Sequence, residues 1–168
     1  MNCIVIGSLG FDYIMDFPGK FSDRIMMDKT HKISLSFLVD KLNKQFGGTA
    51  GNIAYTLKLL GVEPYILSAA GNDFEPYERF LIENKMETKY IKQVVDVVTG
   101  SYFVVTDQED NQIGSFYGGA LKYAHELDVP ENISEFVIIS STTPEAMRKA
   151  VDQCIKRKIK YMYDPAFQ

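Results

Sequence analysis

The sequence predicts an α/β fold: a parallel sheet with helices on both faces, interrupted by two β-rich insertions. Three observations predict it. Short apolar runs at 3–6, 64–69 and 136–140 alternate with helical patterns, the rhythm of βαβ units. The last third reads as strand, helix and strand in close succession, and adjacent parallel strands joined by a helix imply a sheet covered on both sides. Segments 11–17 and 41–46 instead alternate apolar with polar residues, as half-exposed strands do, and 99–117 looks like a hairpin.

The elements follow in order. Residues 3–6 are a β-branched run closed by Gly7-Ser8-Leu9-Gly10, a buried strand. Residues 11–17 form a half-exposed strand closed by the Pro18-Gly19 turn. Residues 20–40 show no clear period, and a short strand is placed at about 41–46. Gly47-Gly48-Thr49-Ala50-Gly51-Asn52 opens a helix whose apolar Ile53, Ala54, Leu57 and Leu60 line one face, with Gly61 in the stop position. A strand at 64–69 ends at Gly71-Asn72-Asp73, read as the cap of a helix from about 75 to 84. Residues 101–106 and 112–117 are hairpin arms around the polar turn 108–111. The apolar strand 136–140 leads to Thr143, a helix N-cap with Pro144 at the first helical position. Met147, Ala150, Val151, Cys154 and Ile155 form the buried stripe, and 161–163 is the last strand. Residues 1–9, 47–95 and 120–168 thus make an α/β core, and 10–46 and 96–119 make β-rich insertions that can pair as a second small sheet.

Composition narrows the function. The 168 residues are 46% hydrophobic and 24% charged, ordinary for a globular chain. A chain of this size buries roughly two-thirds of its unfolded surface and needs no disulfide or metal staple. Eighteen basic residues against 22 acidic ones leave a net charge of -4, so no basic stripe is available for nucleic acid. No apolar run approaches the ~20 residues of a membrane span, and the first residues lack the basic start of a signal peptide, so the expected location is cytoplasmic. Cys3 and Cys154 lack a CxxC spacing and read as reduced, packed thiols. His31 and His125 have no metal-ligand spacing, and the acidic turn 108–111 lacks the pattern of a calcium loop.

In an open parallel sheet, ligands lie beyond the C-terminal strand ends. Those ends carry Ser8 to Asp12, Asn72-Asp73, Ser140 to Thr143, and Asp164. The turn Gly47 to Asn52 adds close backbone approach and the free N–H groups of a helix start. Asn52 offers both a donor and an acceptor to a hydroxyl, and Asp12 accepts from two neighbouring hydroxyls, a set that suits a polyol better than a metal. Each piece has a plainer reading: tight packing for the glycines, a turn carboxylate for Asp12, and sheet packing rather than base stacking for Tyr102, Phe103, Phe116 and Tyr117. There is no GxxxxGK[ST] and no GxSxG elbow. The first turn only loosely follows a dinucleotide fingerprint, which leaves a Rossmann-type nucleotide-binding domain as a further alternative.

Taken in order, the motifs resemble the ribokinase/PfkB family of carbohydrate and nucleoside kinases, with an adenosine-kinase-like subgroup the nearest match. Ile4-Val5-Ile6-Gly7-Ser8 leading to Asp12 resembles the family's opening strand and sugar-contacting aspartate. Phe46-Gly47-Gly48-Thr49-Ala50-Gly51-Asn52-Ile53-Ala54 resembles its N-terminal signature, and Ala70-Gly71-Asn72-Asp73-Phe74 its V-G-x-D turn. Thr106 to Gly119 resembles the lid strand pair, and the segment 33–42 is similar to the same subgroup. The resemblance implies a ribokinase-like three-layer sheet, incomplete here, with a small β lid formed by 10–46 and 96–119. It implies transfer of the ATP γ-phosphate to a primary hydroxyl of a sugar or nucleoside. Asp12, Gly47, Gly48 and Asn52 would hold the sugar, Phe116 and Tyr117 would approach it from the lid, and the lid would also make a homodimer contact.

Three departures bear on this, one being that Ser141-Thr142-Thr143 replaces an acidic or Asn-containing stretch that some members use on the substrate. Gly10 stands where many sugar-specific members carry Asn, which points away from ribokinase itself. The family's G-A-G-D motif, with the catalytic base, occurs nowhere in the 168 residues. The resemblance therefore places the base downstream of Gln168, with ATP and Mg²⁺ bound by the full-length family member and not by this chain alone. The chain is expected to be the substrate-binding and lid portion of such a kinase, with no turnover of its own. The alternative is a non-catalytic sugar- or nucleoside-binding or dimerisation module of the same fold.

Overall fold

The computed structural model describes residues 2–25, 35–131 and 136–165, and among these nine strands form two sheets, accompanied by three α-helices. The strands are β1 Asn2–Ile6, β2 Gly10–Asp16, β3 Lys41–Gly47, β4 Glu63–Ala70, β5 Ile91–Gln93, β6 Gly100–Thr106, β7 Gln112–Tyr117, β8 Phe136–Ile139 and β9 Lys160–Tyr163. The helices are α1 Thr49–Leu59, α2 Glu75–Glu83 and α3 Pro144–Arg157. Part of the 33–42 segment, His31 and Gln168 lie outside the described residues.

The larger sheet is parallel, in the order β5-β4-β1-β8-β9. β1 sits at its centre because four of its five residues are apolar and fully buried, so it must be covered on both faces. Alternation divides those residues between two cores. Cys3 and Val5 pack with Ala50, Ala54, Tyr77 and Leu81 of α1 and α2. Ile4 and Ile6 pack with Met147, Ala150 and Cys154 of α3. From β1 the chain order runs outward to β4 and β5 on one side and to β8 and β9 on the other. The switch therefore falls beside β1, where open α/β sheets place ligands.

The second sheet, in the order β3-β2-β6-β7, joins the two insertions through a parallel pairing of β2 with β6. β2 pairs antiparallel with β3, and β6 with β7. At its far end Phe17, Phe21 and Phe37 cluster with ring centroids 4.9 to 5.9 Å apart. Beside them the Asp107 carboxylate accepts from the N–H groups of Phe21, Glu109 and Asn111, tying the 17–21 turn to the hairpin tip.

Helix ends follow local rules with two differences from the sequence reading. Thr143 caps α3 as expected, its Oγ1 accepting from the Ala146 N–H at 3.4 Å. Asn72 and Asp73 do not cap α2 with their side chains. Asp73 Oδ1 instead accepts from the Thr99 N–H at 2.7 Å, and Asn72 Nδ2 donates to the Val95 carbonyl. The turn after β4 thus holds the segment that enters β6, where the chain needs partners for otherwise unpaired backbone groups. The second difference is three short elements that the sequence did not suggest: β5 and 3₁₀ segments over Phe21–Asp23 and Gly119–Glu126.

Candidate substrate-binding site

Hydroxyl groups tie the strand ends at the switch point together. Ser8 Oγ accepts from the Thr49 N–H at 3.0 Å, satisfying a free donor at the start of α1. Thr49 Oγ1 donates to the Ser141 carbonyl at 3.0 Å, and Ser140 Oγ lies 2.8 Å from the Ile6 carbonyl and 3.0 Å from Thr49 Oγ1. The Ser8 N–H reaches the Ser141 carbonyl, and the Ala50 N–H the Ser8 carbonyl. This lattice fixes α1 against the ends of β1 and β8. The next turn, Gly47-Gly48, therefore sits on a rigid base. Gly48 adopts φ 91°, and a Cβ there would lie 2.5 Å from the Ser8 carbonyl oxygen, so glycine is required on both counts.

Just outside this base the second sheet presents a row without side chains. Gly10 of β2 pairs with Gly47 of β3 and with Gly100 of β6. Two residues along, on the same face, Asp12 pairs with Gln45 on one side and Tyr102 on the other, and Tyr102 pairs with Phe116. Gln45, Asp12, Tyr102 and Phe116 thus form a polar-to-aromatic row above a shelf of bare backbone. A Cβ on Gly114 would lie 2.4 Å from Tyr102 Oη, so the tyrosine lies along β7 over that glycine. Burial raises the Asp12 carboxyl above its ordinary value. Tyr77, buried in the core, donates its hydroxyl to the Gly47 carbonyl at 3.0 Å. Burial, and then the Asp12 charge, push the Tyr77 phenol well up.

The residues expected from sequence divide accordingly. Asp12, Gly47 and Gly48 come together. Asn52 is exposed one turn into α1, its N–H on the Gly48 carbonyl. Phe116 shares the Asp12 face and is 58% exposed. Tyr117, as the next residue of the same strand, falls on the opposite face with Ser101 and Phe11. That face is occupied by packing: Tyr13 stacks on Phe103 at 4.7 Å, and Lys44 Nζ sits 3.9 Å from the Phe11 ring centre. Sequence reasoning missed Tyr77 and Gln45. A period-2 count across both insertions would have found Gln45, whereas Tyr77 left no signal beyond an aromatic on a helix face. Among the described residues no group of three His, Cys, Asp or Glu side chains is placed to hold a metal ion, and no helix is long and apolar enough to cross a membrane.

Comparison with known proteins gives a consistent picture. Residues 15–168 match the model of the pfkB family of carbohydrate kinases. A nucleoside kinase of Methanothermobacter thermautotrophicus is 30% identical over 131 residues, which cover 77% of this chain and 39% of that protein. An ATP-dependent 6-phosphofructokinase of Thermoanaerobacterium thermosaccharolyticum is 31% identical, over 78% of this chain and 44% of that protein. The structure of Burkholderia thailandensis nucleoside kinase in complex with inosine superposes with a TM-score of 0.83 and 29% identity, over 97% of this chain and 52% of that one. The chain thus spans about half the length, or less, of the relatives it matches.

Proposed function

The chain belongs to the pfkB family of carbohydrate kinases, and from that premise we propose that it supplies the acceptor-binding face and lid of a kinase that phosphorylates a primary hydroxyl of a nucleoside. The observation that carries this reading is the row Asp12-Tyr102-Phe116 beside the glycine shelf. A carboxylate over bare backbone suits vicinal sugar hydroxyls. Two aromatic side chains on the same face suit a planar base better than they suit a free sugar. Similarity to nucleoside kinases, one of them bound to inosine, supports the same choice. In this reading Asp12, Gly47, Gly48 and Asn52 hold the ribose, Phe116 meets the base, and the second sheet is the lid that closes over both and excludes water. Tyr117, on the opposite face of the lid, takes no part in holding the acceptor and, half-exposed, is left for a contact between two lids.

ATP is the phosphoryl donor that this reading requires, with Mg²⁺. Among the described residues no carboxylate cluster is placed for the metal, and the 168 residues contain no G-A-G-D motif, so in this reading both groups are held outside this chain. We infer that the 168 residues bind acceptor and do not turn over.

The test is a substrate panel with the intact protein. Nucleosides are expected to be phosphorylated with a higher kcat/KM than ribose, fructose or fructose 6-phosphate, and the 168-residue chain is expected to show none. Faster phosphorylation of a free sugar or sugar phosphate would overturn the nucleoside reading. ATP-dependent phosphorylation by the 168-residue chain would overturn its assignment as a non-catalytic part.

A further inference from the structure

Tyr77 lies on α2, away from the second sheet in sequence, yet it reaches the centre of the candidate site from behind. Its ring is held by Phe46 at 4.7 Å and by Phe11, Phe74 and Phe80 at 5.7 to 6.2 Å, so it has little freedom to move. Its hydroxyl passes α1 only because position 51 is glycine: a Cβ there would lie 1.9 Å from Tyr77 Oη. It ends on the Gly47 carbonyl at 3.0 Å.

That bond fixes more than one atom. The Gly47 carbonyl and the Gly48 N–H belong to one planar trans peptide, so they point in opposite directions. With the carbonyl turned inward to Tyr77, the Gly48 N–H is turned outward. Among the described residues that N–H has no hydrogen-bond partner. The Asp12 carboxylate lies against the same Gly47 α-carbon. One peptide therefore brings together an outward donor and a carboxylate acceptor, the pair that a sugar hydroxyl needs. A glycine pair is free to flip such a peptide, and a fixed inward donor, the Tyr77 hydroxyl, is what opposes it.

The geometry points to Tyr77 as a positioning residue: it locks the Gly47-Gly48 peptide so that the Gly48 N–H and the Asp12 carboxylate meet the acceptor sugar together. The inference rests on the acceptor-binding reading above. It extends that reading to a residue that touches no substrate and is reached through the core.

The test uses the intact protein with inosine as probe and compares wild type with Tyr77→Phe, which keeps the ring and removes only the hydroxyl. The nucleoside KM is expected to rise about fivefold, the scale of one hydrogen bond, with the KM for ATP within about twofold of wild type. In protein labelled with ¹⁵N-glycine, the Gly48 amide resonance is expected to move in the variant without ligand. A purely structural role would lower Tm and leave both the nucleoside KM and the Gly48 resonance in place, and that result overturns the proposal. If Tyr77→Phe does not fold, Gly51→Ala decides: its methyl group would lie 1.9 Å from the hydroxyl oxygen, which is fixed to the ring, so the whole Tyr77 side chain must move off the Gly47 carbonyl; an unchanged nucleoside KM there is equally fatal. If wild-type protein fails to bind any nucleoside or sugar, the acceptor reading falls, while the ligand-free Gly48 resonance still reports whether Tyr77 sets the peptide.

Discussion

The Asp12 carboxylate stands where a side chain at position 47 would need to be: a Cβ on Gly47 would lie 2.2 Å from Asp12 Oδ2. The obstacle is the far end of a side chain, which can rotate away. Gly47→Ala should therefore leave the fold largely intact and displace the carboxylate. Loss of a charged hydrogen bond to a hydroxyl is worth about 1.5–3 kcal/mol, so nucleoside affinity should fall roughly 10- to 100-fold. Gly48→Ala meets backbone at 2.5 Å and a φ of 91°, and should lose Tm as well. Titration calorimetry beside thermal melts separates the two cases. Equal loss of Tm in both variants would refute the distinction.

Asp12 itself should show a conflict between stability and binding. Burial raises its folded pKa above the unfolded value of about 3.9. Its contribution to stability is therefore complete below that value and is lost as pH rises through the folded pKa, where the ionised form must be desolvated. Asp12→Asn removes the charge. At neutral pH the variant should melt at or above the wild-type temperature while binding nucleoside at least about tenfold more weakly. The gain in Tm should shrink toward zero as pH drops below about 4. A lower Tm at pH 7 than at pH 3, relative to wild type, would contradict this sign.

Asp107 has the opposite sign. Desolvation there pushes the carboxyl up, but hydrogen bonds from the Phe21 N–H, the Asn111 side chain and the Glu109 and Asn111 N–H groups outweigh it and hold the pKa at about 2. Its stabilisation is present above about pH 3.9 and is lost as pH falls through about 2. Asp107→Asn should lower Tm at pH 7 and flatten the acid limb of the stability curve between those values. The damage should be local, with faster amide exchange at Phe21 and Asn111 and unchanged protection in β1. Uniform loss of protection would show instead that Asp107 supports the whole fold.

How much of this was legible in the sequence depends on how local each cause is. The Gly47-to-Asn52 turn, the Thr143 cap and the hairpin 101–117 are written in neighbouring residues, and each was readable. That the two β-rich insertions could pair was readable from their composition, and β2 lies parallel to β6. The face of each lid residue was not, because Phe116 and Tyr117 look equivalent until the register of β7 on β6 sends them to opposite sides. Asn72-Asp73 has the chemistry of a helix cap, but unpaired backbone at Val95 and Thr99 captures both side chains. Tyr77 acts on a residue 30 positions away through the core, and no local pattern encodes such a link.

The helix ends give the same lesson and a final prediction. Gly61 ends α1 with φ 82°, and the N–H groups of Gly61 and Val62 close on the Lys58 and Leu57 carbonyls, as its sequence position suggested. α3 ends in the same arrangement without a glycine. Lys158 takes φ 56°, with its N–H on the Ile155 carbonyl and the Ile159 N–H on the Cys154 carbonyl. A lysine in the left-handed region is strained where glycine is not, and the exposed side chain gives little in return. Lys158→Gly should therefore raise stability by about 0.5–1 kcal/mol, after allowing for the greater freedom of glycine in the unfolded chain. Lys156→Gly, two residues earlier and inside the helix, should lower it by about 1 kcal/mol. Urea denaturation of the two variants against wild type checks both signs. Destabilisation by Lys158→Gly would mean that the lysine side chain holds the helix end by contacts stronger than the backbone strain.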